Sequence, residues 1–500
     1  MSNSELQQSN AARASLVVGE PGSVVFVRKF GLNERLVYLV GILAGVAIVL
    51  HTTTLHLSPA VWIDEVMILD YGRVLHDLST DWGVTLTSEG KPAVPLSPLY
   101  CYLEWGWVRI TGCTVFFVRL FALLVSLAMS MSFFGFLKAI GLKGEQSALV
   151  AFALWCDVVL VGSFRGARAD CAALALVFLG AVLLARGFRT EGYFWAFVSG
   201  ASFAAALLTW PTALATMPIV LAVFPTPRRD YLIRFAIMML FAFIGAAIVI
   251  AVWAGTYWYF GLWDRIFWGT LPHSGRQAPS LAAVVGKIVS CYRFTPWMLV
   301  LLAVGIISLF RQRKFSLLIA FAVCILTLIS VPPFYRWRVA YLSPFLYVIP
   351  AQSYRDWRWF NHAGFIVCVL SFLVTVTGRF ATAVIEFSGR DYSRYERQLA
   401  ALIPPGTTVF TDDYAVYYAA LARGWKLFVG GHPARSIPAE NNFYLVATNK
   451  STVQGWERTF KLEPVGLAST AGRSIRSSWR SNYRAEVFRV LSWVDDHHAQ

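Results

Sequence analysis

The sequence predicts an α-helical polytopic membrane protein of about eleven transmembrane helices, followed by a small C-terminal extracytoplasmic α/β domain. Three observations carry that expectation. Of 500 residues, 57% are hydrophobic and only 14% are charged, with a mean hydropathy of +0.57. That is too little charge to cover the surface of a soluble protein of this length. Apolar runs approaching the roughly 20 residues that cross a bilayer recur along the chain. Beyond Ile385 this pattern gives way to short, alternating helix-like and strand-like segments.

Residues 1–34 are polar and lack a signal-peptide core, so they read as a disordered cytoplasmic tail. The transmembrane domain is expected over 35–384. Its apolar runs fall at 35–56, 115–137, 146–162, 169–185, 193–209, 211–224, 235–254, 296–310, 315–331, 339–353 and 361–380. The formal net charge of +15 would suggest nucleic acid in a soluble protein. Here cations cluster in the short loops: Lys138 and Lys143, Arg186 and Arg189, Arg228 and Arg229, Arg311 with Arg313 and Lys314, Arg355 and Arg358. With the N-terminus in the cytoplasm, every loop assigned inside is basic, as positive-inside topology requires. No nucleic-acid partner is expected. The seven cysteines show no ligand spacing; Cys101 and Cys113 either pair or remain free thiols.

Two long outer loops stand out, 57–114 and 255–295. In the first, Val66, Leu69, Leu75 and Leu78 recur at helical spacing, which predicts a surface helix. Ser97-Pro98 opens a second one that ends near Gly112. The other loop is rich in Trp and Tyr and could close over a site. From 385 to 500, helices are expected at 392–403, 414–423 and 453–460, with strands at 407–411, 426–429, 443–448 and 486–492.

No Gly-Lys-Ser/Thr phosphate loop is present, so ATP is not the obvious energy source. An enzyme outside the cytoplasm can use a sugar already activated on a polyprenyl phosphate. Transfer to an acceptor hydroxyl then needs a positioned base, carboxylates near the developing positive charge, and Arg or Lys for the departing phosphate. Asp64 and Glu65 supply adjacent acids where the chain leaves the first span. Arg165, Arg168 and Asp170 stand at the outer start of the fourth span, with Arg165 and Arg168 at a spacing that could share a helix face. Tyr335, Arg336 and Arg338 precede the tenth, and Lys91 lies in the first outer loop. These outer cations run against the topological bias and so call for another reason. Each also has a plainer reading: Asp64 could cap the surface helix, Arg168 and Asp170 could form a local ion pair, and Arg336 and Arg338 could be interfacial anchors.

These motifs resemble the GT-C superfamily of glycosyltransferases, in particular the protein mannosyltransferase, aminoarabinose transferase and Rgt-like galacturonosyltransferase group. The matching residues are Asp64-Glu65, Pro98-Leu99-Tyr100, Arg168-Ala169-Asp170, and Arg336 to Pro344. The resemblance spans roughly residues 36–380. It implies inverting transfer from a polyprenyl-phosphate sugar, with Asp64 as base, Glu65 also catalytic, and Lys91, Arg165, Arg168, Asp170, Tyr335, Arg336 and Arg338 binding substrate. The implied partners are that donor, a glycan, lipid or protein acceptor, and membrane lipids. No cofactor or metal is called for. The implied location is a bacterial inner membrane. Where the group has Pro-Pro-Leu-Tyr, this chain has Ser97-Pro98-Leu99-Tyr100. A transporter or lipid flippase is the alternative class; it predicts paired broken helices in two related halves.

Overall fold

A computed structural model describes residues 32–84, 92–224, 229–266, 280–330, 335–429, 443–470 and 482–493. The chain is a multi-pass membrane protein. Five helices have the length and apolarity to cross a bilayer: Arg35–Thr54, Val115–Ala139, Asp170–Thr190, Ile233–Tyr259 and Phe360–Ile385. A sixth candidate is a pair, Gly144–Trp155 and Val158–Arg165, bent by 59°. The fourth of these helices shows what solvates them. Only 17% of the apolar Ile233–Tyr259 window is buried inside the protein, so lipid must cover the rest.

In chain order the membrane part comprises α1 (Leu32–Thr54), α2 (Ile63–His76), α3 (Leu99–Thr111), α4 (Val115–Ala139), α5 (Gly144–Trp155), α6 (Val158–Arg165), α7 (Asp170–Thr190), α8 (Tyr193–Thr209), α9 (Arg229–Tyr259), α10 (Leu281–Cys291), α11 (Trp297–Arg311), α12 (Phe315–Ser330), α13 (Ser343–Tyr354), α14 (Phe360–Ser371) and α15 (Gly378–Ile385). A π-helical stretch, Phe372–Thr377, joins the last two. Each of the eleven expected apolar runs falls on helical structure. The run at 211–224 departs from expectation: it forms two 3-10 turns, Pro211–Ala215 and Met217–Val223. Pro211 and Pro218 open these turns and lack the N–H an α-helix would need. All seven cysteines are free.

Close approaches fix the packing. A Cβ at Gly200 would lie 1.7 Å from the Ala242 carbonyl, and one at Gly245 would lie 2.0 Å from that of Phe197. Small residues thus let α8 and α9 touch backbone to backbone. Helices α2 and α3 cross in the same way, since a Cβ at Gly72 would lie 2.2 Å from the Cys101 carbonyl. The two long loops join: Val94 N–H donates to the Arg265 carbonyl at 2.9 Å, and Tyr257 donates to that of Pro95 at 2.6 Å.

The break between α5 and α6 frees backbone groups inside the protein, where water cannot pair with them. Asp157 satisfies them, accepting from the N–H groups of Val159 and Leu160 at 2.9 and 3.2 Å. It also accepts from Tyr292 at 3.0 Å, Ser343 at 3.2 Å and Tyr347 at 3.1 Å, which ties α10 and α13 to the break.

The C-terminal part contains α16 (Tyr392–Leu402), β1 (Thr408–Thr411), α17 (Val416–Arg423), β2 (Lys426–Val429), β3 (Phe443–Ala447), α18 (Lys450–Glu457), β4 (Phe460–Ser469) and β5 (Arg484–Trp493). Its sheet order is β2-β1-β3-β5-β4. The first three strands are parallel, and β5 runs antiparallel to β3 and β4. Phe410, Phe443, Leu445, Trp456 and Phe460 form the core of one face. The helix expected to reach Phe460 ends at Glu457, and Phe460 instead opens β4. Pro464 and Gly466 argue against a strand there. The strand carries them at a register shift on the sheet's edge.

Candidate active site

The α2 helix begins at Ile63, immediately before the acidic pair. Its N-cap is Trp62, with no side-chain cap bond, so Asp64 does not cap the helix. Successive helical residues point about 100° apart. The two carboxylates therefore enter different surroundings.

Asp64 faces outward, its side chain 30% exposed, and its Oδ2 pairs with Arg168 Nη1. Arg168 Nε donates to Asp170 Oδ2 at 2.8 Å, which also accepts from Ser163 at 2.7 Å. One guanidinium thus serves two carboxylates. Burial opposes its charge, but Asp170 and Asp64 outweigh this and hold its pKa above the usual guanidinium value. The half-buried rings of Trp337 and Trp210 flank Arg168, with centroids 5.0 and 5.8 Å from it. Arg336 stacks on Trp337 at 4.2 Å and lies within electrostatic reach of Asp64 and Arg168. Tyr414, from the C-terminal part, has its pKa raised by burial and by the Asp64 charge.

Glu65 faces inward and is fully buried. Arg119 donates to it through Nη2 at 2.8 Å and Nε at 3.2 and 3.3 Å, and Tyr418 donates to Oε1 at 2.7 Å. Arg165 is buried as well. It donates to His51, to the Thr54 hydroxyl and carbonyl, and to the Ser58 carbonyl at 2.8–3.1 Å. The shared helix face expected for Arg165 and Arg168 does not form. α6 ends at Arg165, and Ala167 turns the chain with φ of 48°. That left-handed residue, strained by on the order of 1 kcal/mol, re-aims Arg168 toward Asp64.

Arg165 belongs to a clamp on the segment that delivers Asp64. Arg119 holds the Leu55 and Pro59 carbonyls at 2.7 and 2.8 Å. Arg390, paired with Glu386, donates to the Ser58 hydroxyl at 3.2 Å. The Val61 N–H donates to Tyr483 at 3.0 Å. Further along α2, Asp70 accepts from Arg73 at 2.9 Å, Val84 N–H at 2.8 Å and Tyr417 at 2.9 Å, folding the loop after the helix back on it.

The structure therefore brings Asp64, Arg168, Asp170 and Arg336 together. It turns Glu65 and Arg165 into the interior. Tyr335 is exposed and Arg338 half-buried on the 3-10 turn Arg336–Tyr341 that they share or flank. Lys91 lies outside the described residues. Sequence reasoning missed Arg119, Trp210, Trp337, Asp157 and Arg379. A Cβ at Gly162 would meet Trp337 and Arg379 Nη2, each at 3.1 Å, so the missing side chain makes room for both. Among the described residues, no cluster of three or more His, Cys, Asp or Glu could hold a metal.

The chain as a whole resembles solved membrane-protein structures at low identity. Apo ArnT, an aminoarabinose transferase from Cupriavidus metallidurans, superposes with a TM-score of 0.61 at 12% identity. The match covers 90% of this chain and 98% of that one. The chain shares the fold of ArnT. ArnT bound to undecaprenyl phosphate gives a TM-score of 0.59, also at 12% identity, over 90% and 98% of the two chains. Neither a protein-family model nor a curated protein matches the sequence. At 12% identity the GT-C likeness speaks for the fold alone, and the reading of the site has to come from its geometry.

Proposed function

We propose that the chain is a membrane glycosyltransferase that moves a sugar from a polyprenyl-phosphate donor to an acceptor hydroxyl. The observation that carries this reading is the Asp64–Arg168–Asp170 constellation between Trp210 and Trp337, on a GT-C fold. Two carboxylates share Arg168 there, which keeps negative charge beside the place where an oxocarbenium-like sugar carbon would gain positive charge.

Arg168 fixes Oδ2 of Asp64, and Oδ1 accepts the proton of the acceptor hydroxyl. The acceptor oxygen forms its bond to the anomeric carbon as the carbon–oxygen bond to phosphate breaks on the opposite face. The electron pair leaves with the polyprenyl phosphate, and the configuration inverts. Arg336, Arg338 and Arg379 balance the charge gained by the phosphate, as guanidiniums suit such oxygens. Lys91 and Tyr335 complete the donor side. Trp210 and Trp337 offer faces for the sugar. Glu65 acts through position, holding the first turn of α2 against α4.

In this reading the chain crosses a bacterial inner membrane about eleven times, with residues 1–34 inside and residues 385–500 outside. The undecaprenyl phosphate bound to ArnT supports a polyprenyl-phosphate donor for this chain. Mass spectrometry of surface glycolipids, glycans and glycoproteins, from cells with and without the intact gene, tests the proposal. A missing sugar-sized mass supports it and reports the sugar class. Identical glycan profiles in both would overturn it.

A further inference from the structure

The C-terminal part does more than append a folded unit to the membrane helices. Three of its tyrosine hydroxyls converge on one short stretch, residues 61–70, which contains Asp64. Tyr483 accepts from the Val61 N–H at 3.0 Å, Tyr418 donates to Glu65 at 2.7 Å, and Tyr417 donates to Asp70 at 2.9 Å. Asp64 is thus bracketed on both sides. All three tyrosines are fully or almost fully buried.

These rings are themselves braced. Tyr392 stands edge-on to Tyr418 and Tyr483, with centroids 5.7 and 5.5 Å apart, and Tyr395 stacks on Tyr483 at 5.2 Å. The hydroxyl of Tyr392 donates to the Ala415 carbonyl at 2.7 Å, and that of Tyr395 to Asp413 at 3.0 Å. The rings of Tyr418 and Tyr483 therefore have little freedom to turn. Rigid donors of this kind transmit position well, since a misplacement of about 1 Å at a reacting group can cost on the order of a hundredfold in rate.

We infer that the C-terminal domain is part of the active-site framework, with Tyr418 a positioning residue that acts on Asp64 through Glu65. The inference rests on the glycosyl-transfer reading above. Tyr418 touches neither substrate nor Asp64. It completes the bonding of the Glu65 carboxylate, whose other partner, Arg119, reaches it from α4. The first turn of α2 is therefore held between a membrane helix and the C-terminal domain, and Asp64 rides on that turn.

The test is Tyr418→Phe in the full-length protein, which removes one oxygen atom. Three quantities are read: glycan product in cells, undecaprenyl phosphate binding to the purified protein by tryptophan fluorescence, and the amount of folded protein. The expected result is a product yield lowered about tenfold, with lipid binding within about twofold of wild type and protein amount unchanged. A role in stability alone would lower lipid binding and protein amount along with product, and that result overturns the inference. So does a product yield within about twofold of wild type. Should Tyr418→Phe fail to fold, Tyr483→Phe on the other side of Asp64 is read for the same split, and its absence is equally contradictory. Asp64→Asn separates the two levels. Product lost in Asp64→Asn but kept in Tyr418→Phe overturns only this inference, whereas product kept in Asp64→Asn overturns the glycosyl-transfer reading beneath it.

Discussion

Around Asp64 the molecule is open and one guanidinium is shared between two acids; around Glu65, one residue on, it is closed and both carboxylate oxygens are bonded. The two regions share a single helical turn. In the first, a guanidinium divides itself between two acids beneath two indole rings. In the second, a guanidinium and a phenol are spent on one acid. The 100° step of a helix is enough to separate a group that can exchange a proton from one that holds the backbone still.

The sharpest way to break this comparison is to neutralise each side in turn. Asp64→Asn keeps the shape and removes the base, so product should fall by roughly 10²- to 10⁴-fold while the protein stays folded. On the closed side, Arg119→Met strands the Glu65 charge in the interior. That should cost about 3–5 kcal/mol of stability, seen as a lower melting midpoint in detergent. Adding Glu65→Gln to Arg119→Met should recover much of the loss, because no buried charge then remains unpaired.

A smaller change sharpens the open side. Arg168→Lys keeps the charge but cannot bridge Asp64 and Asp170 in one plane. Losing one such charged hydrogen bond corresponds to about 2 kcal/mol, or roughly thirtyfold in product yield, with little change in melting.

Two pH effects are smaller still. Glu104 is fully buried in α3, and burial together with the Glu65 charge pushes its carboxyl well above the usual range. The folded chain therefore keeps a proton that the unfolded chain releases above about pH 4.3. Stability should fall as pH rises from there until the folded group titrates, and Glu104→Gln should flatten that slope in a pH series of melting curves. At the surface, the hydrogen bond from Lys426 holds Asp81 below its usual value. Its contribution is present above about pH 4 and is lost as pH falls through the lowered value. Both groups are largely exposed, so Lys426→Ala should change stability by less than about 1 kcal/mol.

Much of the fold was legible because lipid imposes a simple rule: an apolar run must be helical. The helix at Asp64 could be read from the spacing of Val66 and Leu69, and the strands at 408–411 and 426–429 from their β-branched and aromatic residues. The meeting of Asp64, Arg168 and Asp170 was legible as a set of outer-face charges. The split between Asp64 and Glu65 was not, since it depends on Arg119, 54 residues away, and on Tyr418, 353 residues away. Arg165 was read with Arg168 because spacing alone does not reveal that Ala167 breaks the helix between them. β4 was hidden by Pro464 and Gly466, whose tolerance depends on the sheet's edge.

The most direct measurement sets Asp64→Asn beside Glu65→Gln in the same cells, reading product mass and melting midpoint for each. Asp64→Asn should abolish product and keep the wild-type midpoint. Glu65→Gln should lower the midpoint and retain part of the product. If Glu65→Gln instead abolished product at an unchanged midpoint, while Asp64→Asn still transferred sugar, the assignment of the open and closed acids would be reversed and the account contradicted.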